Sequence, residues 1–270
     1  MEMKKILFVL PILTVCFASC EKDKGTEAGG VTEDGIIIFK DQNFLNALLD
    51  IDGIDANQDG QISVDEASKV TELDVCDCAI KDMSEIKYFT SLAELDCSGN
   101  LITTLDLSGN PKLESLSCYY NLLTDLNVSG NAKLTYLECD ENNLTRLDVS
   151  KCPYLTELRF AINQISTIDV SNNPELIGIF CDTNPLTVLD LGKNRKLEWF
   201  NVVACKVIAG VPPATEENPN PEPEEPQYEI NEETKCPLES LILNRQSNID
   251  EETMLIFEMA YPDLEITYVD

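Results

Sequence analysis

The amino-acid sequence predicts an α/β solenoid: stacked coils with parallel strands along one wall, closed at each end by a small cap. Three observations predict it. One unit recurs every 21 residues, with Leu92, Leu113, Leu134, Leu155, Leu176 and Leu197 opening successive copies. Asparagine returns at the ninth place of the unit as Asn100, Asn121, Asn142, Asn163 and Asn184. Helix-and-strand patterns without this period flank the array, over residues 36–69 and 236–270.

Each unit places apolar residues at positions one, four, six, eleven, fourteen and sixteen; in the copy opened by Leu134 these continue as Leu137, Cys139, Leu144, Leu147 and Val149. Burying one aliphatic side chain is worth ~1.5–3 kcal/mol, but a single coil has nothing to bury it against, so the copies must stack. The ninth-place amide can satisfy backbone N–H and C=O groups at the turn, forming a ladder along the stack. Endings such as Ser108-Gly109-Asn110-Pro111 supply the opposite turn. The array spans 70–207, starting with a 22-residue unit whose apolar places are Leu73, Val75, Ile80 and Met83.

Cys97, Cys118, Cys139 and Cys181, four of the 11 cysteines, fall at the sixth place, where the pattern asks for a small buried hydrophobe. Neighbouring strands lie ~4.8 Å apart, so distance alone leaves disulfides open. The repeat position explains the spacing as a column of buried thiols. Cys78 and Cys205 occupy the asparagine place of the end coils.

The first 19 residues read as a signal peptide: Lys4 and Lys5, the apolar run Ile6–Val15, then Phe17-Ala18-Ser19 before Cys20. Small residues directly before a cysteine resemble the lipobox of bacterial lipoproteins, which implies lipidation of Cys20 and a protein held on a membrane surface by its lipid alone. Residues 20–35 read as a flexible tether. In the cap over 36–69, Ile36–Phe39 is expected as a short strand and Asp41 as the N-cap of a helix carrying Phe44, Leu45, Leu48 and Leu49 on one face. The twelve residues from Asp55 to Glu66 then have the spacing of a calcium loop of the EF-hand kind. Asp55, Asn57 and Asp59 stand at places one, three and five, Gly60 at the turn, the Gln61 carbonyl at seven and Glu66 at twelve. Gly53 interrupts the preceding helix, which fits a dockerin-like variant and a structural ion. An empty acidic turn is the alternative.

The stretch 208–235 is acidic and proline-rich and is expected to be an extended loop. Over 236–270 the chain repeats the opening of a coil in Leu238–Asn244, then shows an N-capped amphipathic helix and a closing strand.

The core pattern, as in Leu113-x-x-Leu116-x-Cys118-x-x-Asn121-x-Leu123, resembles leucine-rich repeats. With its Asp-Val-Ser-x-Asn endings, it looks like the variety in secreted and lipid-anchored proteins of gut-associated Gram-negative bacteria, laid out as in the internalins. Phe160 replaces the column cysteine and Cys152 an asparagine of the second turn. The resemblance implies parallel strands at places three to five on a concave face, an outer-membrane or cell-surface location, and protein or glycan binding. Outward places three, five and seven then carry Tyr119, Tyr136, Glu138, Arg159, Phe180 and Trp199, with Ser98, Asp140, Ala161 and Asp182 also at place seven. Tyr, Trp and Arg bring large contact area at low entropic cost, so these residues are the candidate ligand patch. A second column, Asp106, Asn127, Asp148, Asp169 and Asp190, is expected to be solvated on the far side.

A net charge of −30 argues against nucleic acid or anionic lipid as partner. Histidine is absent, and no nucleophile–base pair, phosphate loop or zinc spacing occurs, so a binding protein is expected and not an enzyme. The alternative is a structural component of the cell envelope without a soluble ligand.

Overall fold

The computed structural model describes residues 29–202, 205–207, 228–230, 238, 240–244, 247, 249–264 and 266–269. The signal peptide, Cys20 and most of 208–235 lie outside the described residues.

The N-terminal cap holds helix α1 (Gln42–Leu49) and the single turn α2 (Val64–Ala67). Asp41 caps α1 by accepting from Asn43 N at 2.8 Å, and its other oxygen accepts from Lys81 N at 2.6 Å, clamping the cap to the first coil. Burial alone would raise this carboxyl; the amides of Lys81, Asn43 and Asp82 outweigh it and hold Asp41 below the usual carboxylate range. Phe44 and Leu48 are buried from α1, and Phe44 packs against Phe89 of the first coil. The expected strand at Ile36–Phe39 forms only single bridges, Ile37 to Val31 and Ile36 to Ser63. A tight turn closed by Gly35 N–H to Thr32 O precedes it, and residues 29–32 run back alongside, with Ile38 N donating to Gly30 O and Gly29 N to Ile38 O, each at 2.9 Å.

The array supplies strands β1 (Glu72–Asp74), β2 (Glu94–Asp96), β3 (Ser115–Ser117), β4 (Tyr136–Glu138), β5 (Glu157–Arg159), β6 (Gly178–Phe180), β7 (Val188–Leu191) and β8 (Trp199–Asn201). All but β7 form one seven-stranded parallel sheet in chain order. Its register repeats without slip: Leu73, Leu95, Leu116, Leu137, Leu158, Ile179 and Phe200 stand in one buried row.

The ninth-place asparagines form the expected ladder. Asn142 is typical: its Oδ1 accepts from Leu123 N at 3.0 Å, and its Nδ2 donates to the carbonyls of Cys118, Cys139 and Asp140 at 3.0–3.2 Å. A second buried ladder runs along the opposite turn, through Asn110, Asn131, Asn173 and Asn194, whose Nδ2 groups donate to carbonyls of the preceding coil. Cys152 fills the missing rung with weak sulfur contacts at 3.7 and 3.8 Å. Cys97, Cys118, Cys139, Cys152 and Cys181 are buried, and burial pushes the thiols of Cys97, Cys118, Cys139 and Cys152 upward, keeping them neutral.

Place eight is left-handed in every coil over residues 70–196, and the chain fills it with Asp77, Tyr120, Glu141, Ile162 and Thr183 as well as Gly99. The acidic column on the far side is more than a solvated row. Asp106, Asp148 and Asp169 each accept the amide two residues on, from Ser108, Ser150 and Ser171, and these bonds with the serine hydroxyls hold the carboxyls below their usual range.

Beyond β8, strand β9 (Cys205–Val207) pairs antiparallel with β10 (Tyr228–Ile230), so the segment expected as a loop over 208–235 contains a paired strand near its end. The C-terminal cap comprises β11 (Ser240–Asn244), helix α3 (Glu251–Ala260) and β12 (Ile266–Val269). Although β11 lies in a stretch that reads like a new coil opening, it does not extend the seven-stranded sheet. It pairs parallel with β7 on the opposite wall, and β12 pairs parallel with it. Asp250 caps α3 through Thr253 N at 2.8 Å, and Phe257 of α3 meets Phe200 of β8 edge-on, covering the last coil.

Candidate functional site

In every strand of the main sheet the central residue is buried while its two neighbours are exposed or half-buried, save Gly178. Places three and five therefore form the outward face, as alternation along a strand requires. The structure gathers five of the six candidate ligand residues into one run across β4 to β8. The Tyr136 hydroxyl donates to Glu138 Oε2 at 3.0 Å, and the Ser117 hydroxyl donates to the same oxygen at 2.8 Å. Arg159 Nη1 lies 3.5 Å from Glu138 Oε1, and its Nε donates to Glu157 Oε1 at 2.6 Å. The guanidinium sits 4.0 Å from the Phe180 ring centroid, and Phe180 meets Trp199 at 4.6 Å between centroids.

Gly178 explains how the run fits. A Cβ built there would lie 1.7 Å from a ring carbon of Trp199, so the indole rests on bare backbone. Ser117, Glu157 and Gly178 thus belong to the site although nothing in their own letters marks them. Their positions 21 residues from Glu138, Gly178 and Trp199 were the only available signal. Burial, then the neighbouring Glu138, pushes the Tyr136 phenol upward, so it stays a donor. Arg159 has both carboxylates of its own chain as partners and works as a stacking plane more than as a free cation.

Tyr119 stands apart from this run. It is exposed at the turn that follows β3, beside Tyr120 and Leu122. Of the other place-seven residues, Ser98, Ala161 and Asp182 are buried and Asp140 is half-buried, and the Ser98 hydroxyl lies 2.9 Å from that of Ser117 and so extends the run. Asp140 accepts from Ala161 N at 2.6 Å, yet burial, with Glu138 and Asp182 adding repulsion, pushes its carboxyl up to about 7.

At the N-terminal end of the same face lies a groove of about 510 Å³ lined by Glu72, Asp74, Glu94, Asp96, Ser117, Tyr136 and Glu138 among others.

The oxygens of the cap loop are turned to its own backbone amides. Gln58 and Gly60 have φ of 60° and 78°, Gly60 N donates to Asp55 Oδ2 at 2.9 Å, and Asp59 N donates to Asn57 Oδ1 at 2.9 Å. Glu66 is turned to Ala56 N at 3.0 Å and, in a capping box, to Ser63 N at 2.9 Å. Burial would raise Glu66, and these donors outweigh it and hold it low. Among the described residues no three His, Cys, Asp or Glu side chains converge as they would on a metal ion. The donors are nonetheless all hard oxygens, which suit Ca²⁺ in kind. Helix α1 ends at Leu49 and α2 spans only four residues, so no full helix–loop–helix frames the loop.

The fold is that of a leucine-rich-repeat solenoid with the layout of an internalin. An internalin from Listeria monocytogenes, InlF, superposes with a TM-score of 0.53 at 23% identity, over 61% of this chain and 50% of that one. The functional domain of InlJ from Listeria monocytogenes, which includes a cysteine ladder, gives a TM-score of 0.45 at 37% identity over 52% of this chain and 36% of its own. A leucine-rich-repeat protein of Leptospira interrogans gives 0.44 at 19% identity over 67% and 44%. The chain thus spans between 36% and 50% of these three solved structures. No protein-family model matches the chain. No curated protein matches it in sequence. Among the described residues no helix is long and apolar enough to cross a membrane.

Proposed function

We propose that this chain is a non-enzymatic binding protein of the cell envelope, anchored by lipid at Cys20, that recognises a protein or glycan with the outward face of its seven-stranded sheet. One observation carries the reading. Tyr136, Glu138, Arg159, Phe180 and Trp199 form an unbroken chain of contacts across four adjacent strands, each half-buried and held by the next. A patch held in place by its own contacts loses little entropy when a partner covers it. The outer membrane, with the array facing outward, is the location this reading assigns.

In the same reading a structural calcium ion occupies the loop from Asp55 to Glu66, with Asp55, Asn57, Asp59, the Gln61 carbonyl and Glu66 as its ligands. Such an ion would stiffen the cap that Asp41 clamps to the first coil.

The test is capture of a partner from bacterial-surface and mucosal extracts by the full chain, compared with a Tyr136→Ala/Arg159→Ala/Trp199→Ala variant of matched thermal stability. Loss of the captured species in the variant is the expected result. Undiminished capture would overturn the site, and concentration-dependent self-association that disappears in the variant would favour an assembly role.

A further inference from the structure

Along the turn that leaves the main sheet, large apolar side chains stand in solvent: Leu101 is 42% exposed, Tyr119 41%, Tyr120 61% and Leu122 44%. Scattered exposed hydrophobes are ordinary. These four are not scattered, because Leu101 and Leu122 hold the same place in successive coils, one strand spacing of ~4.8 Å apart along the stack, and Tyr119 and Tyr120 stand in the same turn as Leu122. They form an apolar ridge. Beside it lies the groove of about 510 Å³ with Glu72, Asp74, Glu94 and Asp96 in its floor, and no lysine or arginine lines it. The register sets like charges opposite one another, Glu72 beside Glu94 and Asp74 beside Asp96, and among the described residues none of these four carboxylates has an ion pair. Stacked like charges cost stability, and a walled groove of one sign focuses its field on whatever enters. Tyr119 ties ridge to groove: it stands two residues after Ser117, which lines the groove, and Gly99 N, just past Asp96, donates to its carbonyl at 3.0 Å; burial, then Asp96, Asp77 and Glu138, pushes its phenol upward.

We propose that ridge and groove together dock a cationic polypeptide segment in which lysine or arginine alternates with aliphatic or aromatic residues. The cations would lie over the Glu72–Glu94 and Asp74–Asp96 pairs, and the apolar residues against Leu101, Tyr119 and Leu122. The inference rests on the sheet-face reading above and narrows its partner from protein or glycan to a basic, partly apolar protein. Arg159, Phe180 and Trp199 then flank the docked segment.

The probe is a fluorescent decapeptide alternating lysine and leucine, titrated into the full chain at 0.15 M salt, with alternating lysine–glycine and glutamate–leucine decapeptides as comparisons. Three variants are compared. E72Q/E94Q/D96N neutralises the groove, D106N/D148N/D169N removes the same charge from the opposite wall, and L101S/L122S strips the ridge. The opposite-wall variant preserves its turns, since Asn127 already serves at that place. The proposal expects one-to-one binding of the lysine–leucine peptide, weakened at least tenfold by the groove variant and less than threefold by the opposite-wall variant. The ridge variant should weaken the lysine–leucine peptide several-fold and leave the lysine–glycine peptide unchanged. Equal losses from the two charge variants, several peptides bound per chain, or no difference between lysine–leucine and glutamate–leucine would overturn it. None of the variants touches Arg159, Phe180 or Trp199, so failure of the aromatic run as a binding site would be read separately.

Discussion

Replacing Asn142 by alanine should cost far more than replacing Asn131, although both are buried ladder asparagines. Asn142 is bonded through both ends of its amide. Without it the buried Leu123 N–H loses its acceptor, and three carbonyls, of Cys118, Cys139 and Asp140, lose a shared donor. A buried N–H left without a partner costs about 1–3 kcal/mol, and the carbonyls together add roughly as much as one further such group. The expected loss is therefore about 3–4 kcal/mol, a large share of the ~5–15 kcal/mol that holds a domain together. Asn131 donates only to the carbonyls of Leu107 and Asn110, and its Oδ1 accepts nothing, so its removal orphans no N–H and should cost about 1–2 kcal/mol. The chain already performs a version of this experiment: Cys152 occupies the same ladder with weak contacts. Urea unfolding followed by far-UV circular dichroism and by the single tryptophan, Trp199, measures both variants in the middle and last coils. At a slope of about 2 kcal/mol per molar, Asn142→Ala should lower the midpoint by more than 1 M. If the two variants cost the same, or Asn142→Ala costs less than 1 kcal/mol, the hydrogen-bond accounting of the two ladders is wrong.

Three further outcomes follow from the same geometry. Ile162 is held at φ 52° and is 45% exposed, so Ile162→Gly should stabilise the chain by about 0.5–1 kcal/mol in thermal unfolding, against the usual direction for a glycine substitution. Asp140 binds its proton more tightly folded than unfolded, so its share of stability is present below about pH 4 and is lost as pH rises toward about 7. Asp140→Asn keeps the acceptor for Ala161 N and should overtake the wild type in stability by an amount that grows with pH across that window, up to about 1.4 kcal/mol per unit, in urea titrations at pH 4.5 and 8. Calorimetric titration with calcium should give one binding event that raises the melting temperature of the cap and vanishes in Asp59→Ala; absence of heat with the wild type removes the ion from the account.

Much of the scaffold was legible in the letters because every coil solves the same burial problem with the same places. Leu134, Leu137, Cys139, Leu144, Leu147 and Val149 are all buried, as the spacing requires. The second asparagine ladder was hidden because Asn110 and Asn173 stand beside prolines and read as turn formers, a role that masks their amide bonds to the preceding coil. The left-handed place eight was hidden by its occupants, since Tyr120 and Ile162 are residues that rarely accept it. The partner of β11 was illegible for a different reason: alternating aliphatic residues suit either wall of a coil, and only the packing of α3 on Phe200 closes off the main sheet. At the site, the outward aromatics could be named from their place in the unit. Their linkage through Glu138, and the vacancy that Gly178 leaves for Trp199, depend on neighbours 21 residues away and needed the register.

The most direct test of the central claim is oxidative footprinting of the full chain with and without a captured partner. The account expects protection of Trp199 and Tyr136 on the sheet face, with Tyr154, 60% exposed at the turn that precedes β5, labelled equally in both states. Protection of Tyr154 with Trp199 and Tyr136 unchanged would place the binding surface elsewhere on the solenoid and contradict it.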